Sequence, residues 1–275
     1  MISDSELLAL IKEGFFPGPL EDESTFIQRV VATKKLTGLS SQDAVPEKII
    51  EDASSLTQLL FDFSGKQIPC FFQDKDLALW EGAALWIEDV DGISIPRIQL
   101  KHSFRKGSYL LYKVDEVLAH EMLHAARIAY HEPKYEEILA YQTSKNSVRR
   151  LLGPLFQDPK ESYLFILLLL TGFGLEIGSV MSDFSFYVPW ILLPFLWVGC
   201  LGVRLSCRIK KFNKGLLSLG SAIADHSKSL AILARLTDAE IEQISKFPSN
   251  EVRSFFNQKI HSDLRIRSLI LSYFS

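Results

Sequence analysis

Five consecutive residues, His-Glu-Met-Leu-His at positions 120–124, have the types and the spacing that metal chemistry requires. Residues four apart stack on one face of an α-helix, so His120 and His124 can direct imidazole nitrogens at a single metal ion. Glu121 is rotated about 100° away from His120, where its carboxylate can accept a proton from an activated water without serving as a ligand. The pattern predicts a catalytic metal site with Glu121 as the general base.

A catalytic zinc site needs a third protein ligand, and the sequence downstream offers one. Pro133 predicts a break, after which a second helix runs from about residue 133 to residue 152. This returning helix brings a glutamate near its start back to the level of His124. Glu136 and Glu137 point about 100° apart on such a helix, so only one of them can face the metal. Because Glu137 lies on the stripe that carries a small alanine one turn later, we predict Glu137 rather than Glu136 as the ligand.

Other side chains near the motif are alternatives or helpers. His131 is a second candidate for the third ligand, but the HExxHxxGxxH spacing of metzincins requires a glycine where Arg127 stands. Arg127 can pair with Glu136 or Glu137 and so hold the ligand carboxylate in place. We expect Glu116 on a solvent-exposed helix face. Three tyrosines are candidates for donating a hydrogen bond to an oxyanion: Tyr130, Tyr135 and Tyr141.

The order His120-Glu121-x-x-His124 and then Glu137-x-x-Ala140 resembles the gluzincin peptidases. In style it is most similar to the membrane-bound M48 group of HtpX and Ste24 type, whose pattern is HExxH followed by ExxAD. The resemblance implies Zn²⁺ on the two histidines and Glu137, Glu121 as the base, and proteolysis at the cytoplasmic membrane face. The chain departs from that group in having Tyr141 in place of the aspartate and in its shorter gap between the two halves of the pattern.

Two long apolar runs follow the motif, at residues 163–181 and 186–205. Each approaches the ~20 apolar residues that cross a ~30 Å hydrocarbon core, so the pair predicts a transmembrane hairpin. Two buried core helices are the alternative interpretation. Lys and Arg flank the outer ends, whereas the link at 182–185 carries only Asp183, and the positive-inside rule therefore puts both termini and the metal motif in the cytoplasm. Glu176, within the first run, is either functional or solvated.

Periodicity and turn signals predict an α+β chain with four segments. Residues 1–62 form an N-terminal helical segment. Residues 63–160 form a zincin-like catalytic core, in which a small antiparallel sheet precedes the motif helix and the returning helix. Residues 161–205 form the transmembrane hairpin, and residues 206–275 form a C-terminal cytoplasmic helical segment that includes a capping box at Thr237.

Within these segments the bounds of individual elements can be predicted. The expected helices are 3–13, 21–36, 46–61 and, for the motif helix, 112–130. The expected strands are 68–72, 84–90 and 93–101, with a hairpin turn at Asp91-Gly92. Pro96 within the last strand is typical of a sheet edge, and such an edge could add a backbone ladder to an extended peptide substrate.

Composition and charge narrow the function classes. A net charge of −3 argues against nucleic acid as a partner, and the three cysteines form no CxxC pair, which suggests a reducing compartment. We expect a membrane-anchored zinc-dependent endopeptidase that acts on protein or peptide substrates. The rival is a non-enzymatic membrane scaffold, because closely spaced spans with helical flanks resemble the bilobed hydrophobic hairpins of chlamydial inclusion-membrane proteins. A zincin-like site that binds metal only for structure is a third reading. Substrate, oligomeric state and the role of residues 206–275 stay open.

Overall fold

The computed structural model describes residues 2–19, 21–37, 43–78, 81–90, 92–181 and 190–274. Helices dominate and the strands are few, so the α+β class is confirmed. Three helices come first: α1 (Asp4–Glu13), α2 (Glu23–Thr37) and α3 (Glu47–Phe61). Ser3 and Glu6 form a capping box at the start of α1, and Gly14 ends it with a φ of 101°. The predicted N-terminal helices are confirmed, although Pro46 caps α3 instead of being its first residue.

A small mixed sheet follows, with strand order β1–β3–β2. Its strands are β1 (Cys70–Phe72), β2 (Ala83–Val90) and β3 (Ile93–Leu100). The predicted hairpin between β2 and β3 is confirmed by their antiparallel ladder; Asp91 lies outside the described residues, and Gly92 has a φ of 79°. The prediction of a purely antiparallel sheet is wrong, because β1 pairs with β3 in parallel. Gln99 of β3 donates hydrogen bonds to two carbonyls of the β1–β2 connection and so holds that connection across the sheet.

The prediction that residues 93–101 form a sheet edge is also wrong. β3 is the middle strand, and Pro96 lies opposite Ile87 in the ladder with β2. Among the described strands β2 pairs only with β3, so the outer edge of β2 is open. An edge suited to pairing with another chain therefore exists, but it belongs to the other strand of the hairpin.

The motif lies in α4 (Val114–Ala126). Two short strands precede this helix, β4 (Ser108–Tyr109) and β5 (Tyr112–Lys113), and two short helices follow it, α5 (Pro133–Ala140) and α6 (Ser147–Leu152). The motif helix α4 ends at Ala126, four residues before the predicted end at residue 130. Arg127 follows the helix with a φ of −94° and a ψ of 9°, and its fully buried guanidinium donates to the carbonyl oxygens of Ala234 and Leu236. The chain then turns, and His131 takes a left-handed φ of 52°.

The predicted continuous returning helix is divided into α5, a 3-10 turn and α6. The division follows from two contacts with α4. The hydroxyl of Thr143 donates to the Glu116 carbonyl oxygen at 3.2 Å, and the hydroxyl of Ser144 donates to the Glu116 carboxylate at 3.1 Å. Ser144 is extended as a result, with a ψ of 130°. Glu116 is buried, so the prediction that it lies on a solvated face is wrong.

Two long helices follow, α7 (Pro159–Met181) and α8 (Leu193–Ala222). Of the described helices only α7 is long and apolar enough to cross a membrane, and Gly172 is its only buried residue. The described part of the chain therefore has one candidate span instead of the expected two. Residues 182–189, which include the predicted link and the start of the second run, lie outside the described residues. From Leu193 to the first charge of α8, Arg204, the helix covers only about 16 Å, which is too short to span.

The C-terminal helices are α9 (Ser229–Leu233), α10 (Asp238–Ile244), α11 (Ser249–Asn257) and α12 (Leu264–Tyr273). The predicted capping box at Thr237 is confirmed and begins α10. These helices fold back on the N-terminal segment: Arg235 donates to the carbonyl oxygen of Phe61 at 2.8 Å, and Arg267 forms an ion pair with Asp4. One hydrophobic core includes buried residues of the N-terminal helices, of α4 and of the C-terminal helices, such as Leu7, Leu118 and Leu269, and no residue of α7.

Candidate metal centre

His120, His124 and Glu137 come together in a group that we call the metal triad. Helical spacing in α4 stacks the two histidines, and α5 returns beside them with Glu137 one turn inside its start. The Nε2 atoms of the histidines are 3.1 Å apart. Glu137 has one carboxylate oxygen 3.4 Å from Nε2 of His124 and the other 3.6 Å from Nε2 of His120.

These distances fit a tetrahedral metal ion. With metal–ligand bonds of about 2.0–2.1 Å, donor atoms of such a site lie about 3.4 Å from each other. Two imidazole nitrogens and one carboxylate oxygen are also a donor set that zinc accepts, with a fourth position left for a water or substrate. Among the described residues this is the only group of three or more His, Cys, Asp or Glu side chains with donor atoms this close. The metal triad can therefore hold a divalent ion.

Glu136 has a different position from its neighbour. Its carboxylate accepts a hydrogen bond from Nδ1 of His124 at 2.8 Å, on the side of the ring away from the metal triad. The buried Arg127 lies behind it, with Nε 3.9 Å from the other carboxylate oxygen. A carboxylate on Nδ1 fixes the histidine tautomer that presents Nε2 to a metal. The ion pair predicted for Arg127 is thus formed with Glu136, and the sequence had given no sign that Glu136 would hold a histidine.

The charges of the metal triad are coupled. Burial, together with the charge on His124, lowers the pKa of His120 to about 4. Burial also disfavours charge on His124, but hydrogen bonds to Glu136 and Glu137 outweigh burial and raise the pKa of His124 well above its usual range. For Glu137, burial opposes ionisation, yet the hydrogen bond and the charge from His124 lower its pKa to about 2. The charges of His124 and Glu137 therefore stabilise each other.

Glu121 lies beside the metal triad and is not part of it. Its carboxylate accepts no hydrogen bond from any residue in the described ranges and lines a cavity together with His120. Burial, reinforced by the charge on Glu137 and opposed by that on His124, raises the pKa of Glu121 to about 7. A carboxyl group with such a pKa can accept and release a proton near neutral pH.

Only one of the three candidate tyrosines reaches the site. The ring of Tyr141 packs edge-on against His120, with centroids 4.7 Å apart. Tyr130 instead donates to the Arg235 carbonyl oxygen, and Tyr135 donates to Glu242. His131, the alternative ligand, is exposed and is not a member of the metal triad.

Two cavities meet at His120 and Tyr141. The hairpin-side cavity, of about 190 Å³, is lined by the start of β2, the β4–β5 hairpin, Glu121 and Arg149. The α7-side cavity, of about 560 Å³, is lined by Glu137, the connection after α6 and the first turns of α7 up to Ile166. Sequence reasoning missed the hairpin and Arg149 as parts of the site. Arg149 is positioned by an ion pair with Glu116 at 3.3 Å, a contact that no local pattern signals.

No protein-family model matches the chain, and neither the curated proteins nor the solved structures provide a match. The chemistry of the metal triad is therefore inferred from its own residues and their surroundings.

Proposed function

We propose that the protein is a membrane-anchored, zinc-dependent endopeptidase. The observation that carries the proposal is the metal triad, in which the two imidazole nitrogens lie 3.1 Å apart and each lies 3.4–3.6 Å from one of the carboxylate oxygens of Glu137, beside the unpaired carboxylate of Glu121. His120, His124 and Glu137 would hold the zinc ion. When bound, zinc supplies Lewis acidity that makes a water more acidic and a carbonyl group more electrophilic.

The residues of the chain have separate tasks in this reaction. Glu121 accepts a proton from the water as its oxygen forms a bond to the carbonyl carbon of the scissile peptide. Glu121 then gives that proton to the amide nitrogen as the carbon–nitrogen bond breaks, so that a carboxylic acid and an amine are released. Tyr141, beside His120, is the candidate for donating a hydrogen bond to the carbonyl oxygen while it carries negative charge.

The open edge of β2 supports binding of an extended peptide. Glu81 lines the α7-side cavity, and Gly82 and Ala83 line the hairpin-side cavity, so the chain that leads into β2 lines both cavities that meet at His120. A peptide paired with this edge would cross the metal triad with its backbone amides hydrogen-bonded. The sequence predicted that β3 would pair with the peptide, but β3 is the middle strand of the sheet and has no open edge, so we assign peptide pairing to β2.

The candidate span α7 supports a site at the membrane surface. Its first turns line the same cavity as Glu137, so the metal triad lies close to where α7 would enter a bilayer. Lys and Arg residues before α7 and from residue 204 onward in α8 favour the cytoplasmic side by the positive-inside rule.

Metal analysis of the purified chain tests this function and separates it from the scaffold. We expect one zinc ion bound to the wild type and zinc lost in His120→Ala. Glu121→Gln is expected to keep zinc and to lose peptide cleavage, because the amide cannot accept the proton. A wild type without zinc, or zinc unchanged in His120→Ala, would overturn the proposal. Cleavage that persists in Glu121→Gln would exclude Glu121 as the base, and zinc without any cleavage would favour a structural metal.

A further inference from the structure

The β4–β5 hairpin carries two exposed leucines at its tip. Leu110 is 73 % exposed and Leu111 is 87 % exposed. Leu110 also has a left-handed φ of 51°, a conformation that two-residue turns normally give to Gly, Asn or Asp. A leucine there contributes strain and exposed apolar surface, so neither folding nor solubility accounts for it.

The neighbouring helix α6 also has an exposed apolar face. Val148, Leu151 and Leu152 are 62 %, 54 % and 53 % exposed, and their spacing puts them on one side of the helix. Arg149 joins α6 to the hairpin, because its guanidinium donates to the Leu111 carbonyl oxygen at 2.6 Å and lies 4.1 Å from the ring centroid of Tyr112. The two elements therefore form one surface, which we call the leucine rim.

Exposed positive charges flank the leucine rim. Lys106 and Lys113 lie at the base of the hairpin, and Arg150 lies on α6; all three are exposed and have no acidic partner among the described residues. Lysines below an apolar tip are typical of segments that enter the headgroup region while their ammonium groups meet anionic phosphates.

The leucine rim is also continuous with the candidate span. Residues 153–158 lead directly from the end of α6 to the start of α7, whose exposed apolar side chains begin at Tyr163. If α7 crosses a bilayer, its connection to α6 keeps the leucine rim near the same membrane surface. A protein partner could also cover an apolar face, but the flanking cations and the adjoining span favour lipid.

We propose that the leucine rim is a second membrane-contacting surface, which lies in the headgroup region of an anionic bilayer beside α7. Leu110 also lines the hairpin-side cavity, so contact with the bilayer would turn the mouth of that cavity towards the lipid. This inference rests on the membrane anchoring in the proposed function but not on catalysis or on zinc.

Nitroxide depth measurements on the full chain test the proposal. In a background that carries Cys70→Ser, Cys200→Ser and Cys207→Ser, the labels are attached at Leu111→Cys and Leu151→Cys. The protein is placed in phosphatidylcholine vesicles that contain phosphatidylglycerol. Leu167→Cys on α7, where the leucine is 60 % exposed, is the control for lipid, and Leu59→Cys on α3, where it is 77 % exposed, is the control for water.

We expect the labels at 111 and 151 to lose accessibility to a water-soluble nickel complex and to gain it to oxygen, as at 167. The label at 59 should show the reverse. Labels at 111 and 151 that behave like the label at 59 overturn the proposal, and so does a label at 167 that stays in water. Because 111 and 151 lie on different elements, one labelled variant still reports on the leucine rim if the other fails to fold.

Discussion

At the scale of single residues, two adjacent glutamates divide the work around one imidazole. Glu137 faces Nε2 of His124 and belongs to the metal triad, whereas Glu136 accepts the hydrogen bond from Nδ1. The turn of about 100° between adjacent helical residues makes this division possible. It could be predicted from the sequence that only one glutamate faces the metal. The hydrogen bond of the other glutamate to His124 could not be predicted, because the ring of His124 lies between both side chains only when α5 packs on α4.

The role of Glu136 predicts a loss of zinc affinity when its side chain is removed. Glu136→Ala leaves Nδ1 of His124 without its acceptor, so we expect zinc affinity to fall about 10- to 100-fold. Glu136→Gln retains an oxygen that can accept the bond and should recover part of the loss. Competition with a chromophoric chelator measures both variants against Glu251→Gln, which removes a carboxylate from an exposed position on α11. Equal affinity in Glu136→Ala and the wild type would contradict a positioning role.

At the scale of elements, the sequence predicted the features that depend only on neighbouring residues, such as the beginnings of helices. The predicted capping box at Thr237 begins α10, and the helix predicted from residue 3 is α1, which Ser3 caps. The prediction of one continuous returning helix was wrong, because its division depends on contacts of Thr143 and Ser144 with Glu116, which is distant in sequence. Likewise, β1 pairs with β3 in parallel because the connection from β1 to β2 crosses β3. The alternation of apolar and polar residues within each strand contains no information about that crossing.

The pairing of α10 with α12 is an element-scale contact with a dependence on pH. Glu240 of α10 is buried and forms ion pairs with Arg265 of α12 and with Lys259. Burial opposes ionisation of Glu240, but the hydrogen bonds and the charge of Arg265 lower its pKa to about 2. A carboxyl group with a lowered pKa stabilises the fold above its unfolded pKa of about 4.5, and this contribution disappears as the pH falls towards 2.

Replacement of Glu240 should therefore lower the free energy of unfolding at neutral pH, and it should lower it much less in acid. We expect Glu240→Gln to lower the free energy of unfolding by about 3 kcal/mol at neutral pH, since a shift of this size is worth roughly that much. Towards pH 3 the difference from the wild type should shrink. Denaturant titrations at several pH values measure it, with Glu251→Gln as the control for loss of an exposed carboxylate. A difference that is constant with pH would contradict the ionic explanation.

At the scale of the whole molecule, the metal triad lies between the sheet and the candidate span. The motif and Glu137 could be predicted from spacing, but the surroundings of the site could not, because they come from distant parts of the chain. Gly82, just before β2, lines the hairpin-side cavity, and Ile166 of α7 lines the α7-side cavity. The guanidinium of Arg127, directly after α4, donates hydrogen bonds to the carbonyl oxygens of Ala234 and Leu236. These bonds connect the C-terminal segment, residues 206–275, to the end of the helix that carries the two histidines.

This arrangement predicts which substrates the proposed endopeptidase cleaves best. Because the α7-side cavity begins at Glu137 and reaches Ile166, a polypeptide that leaves the same bilayer beside α7 would enter the site directly. Anchoring raises its effective concentration, so we expect a membrane-anchored substrate to be cleaved on the order of a hundredfold more efficiently than the same sequence in soluble form. Cleavage rates in vesicles measure the ratio, and Glu121→Gln corrects for other proteases. Dilution of both substrates in detergent should remove the advantage, because the shared bilayer is gone. Equal rates in vesicles would mean that the α7-side cavity receives substrate from the water phase.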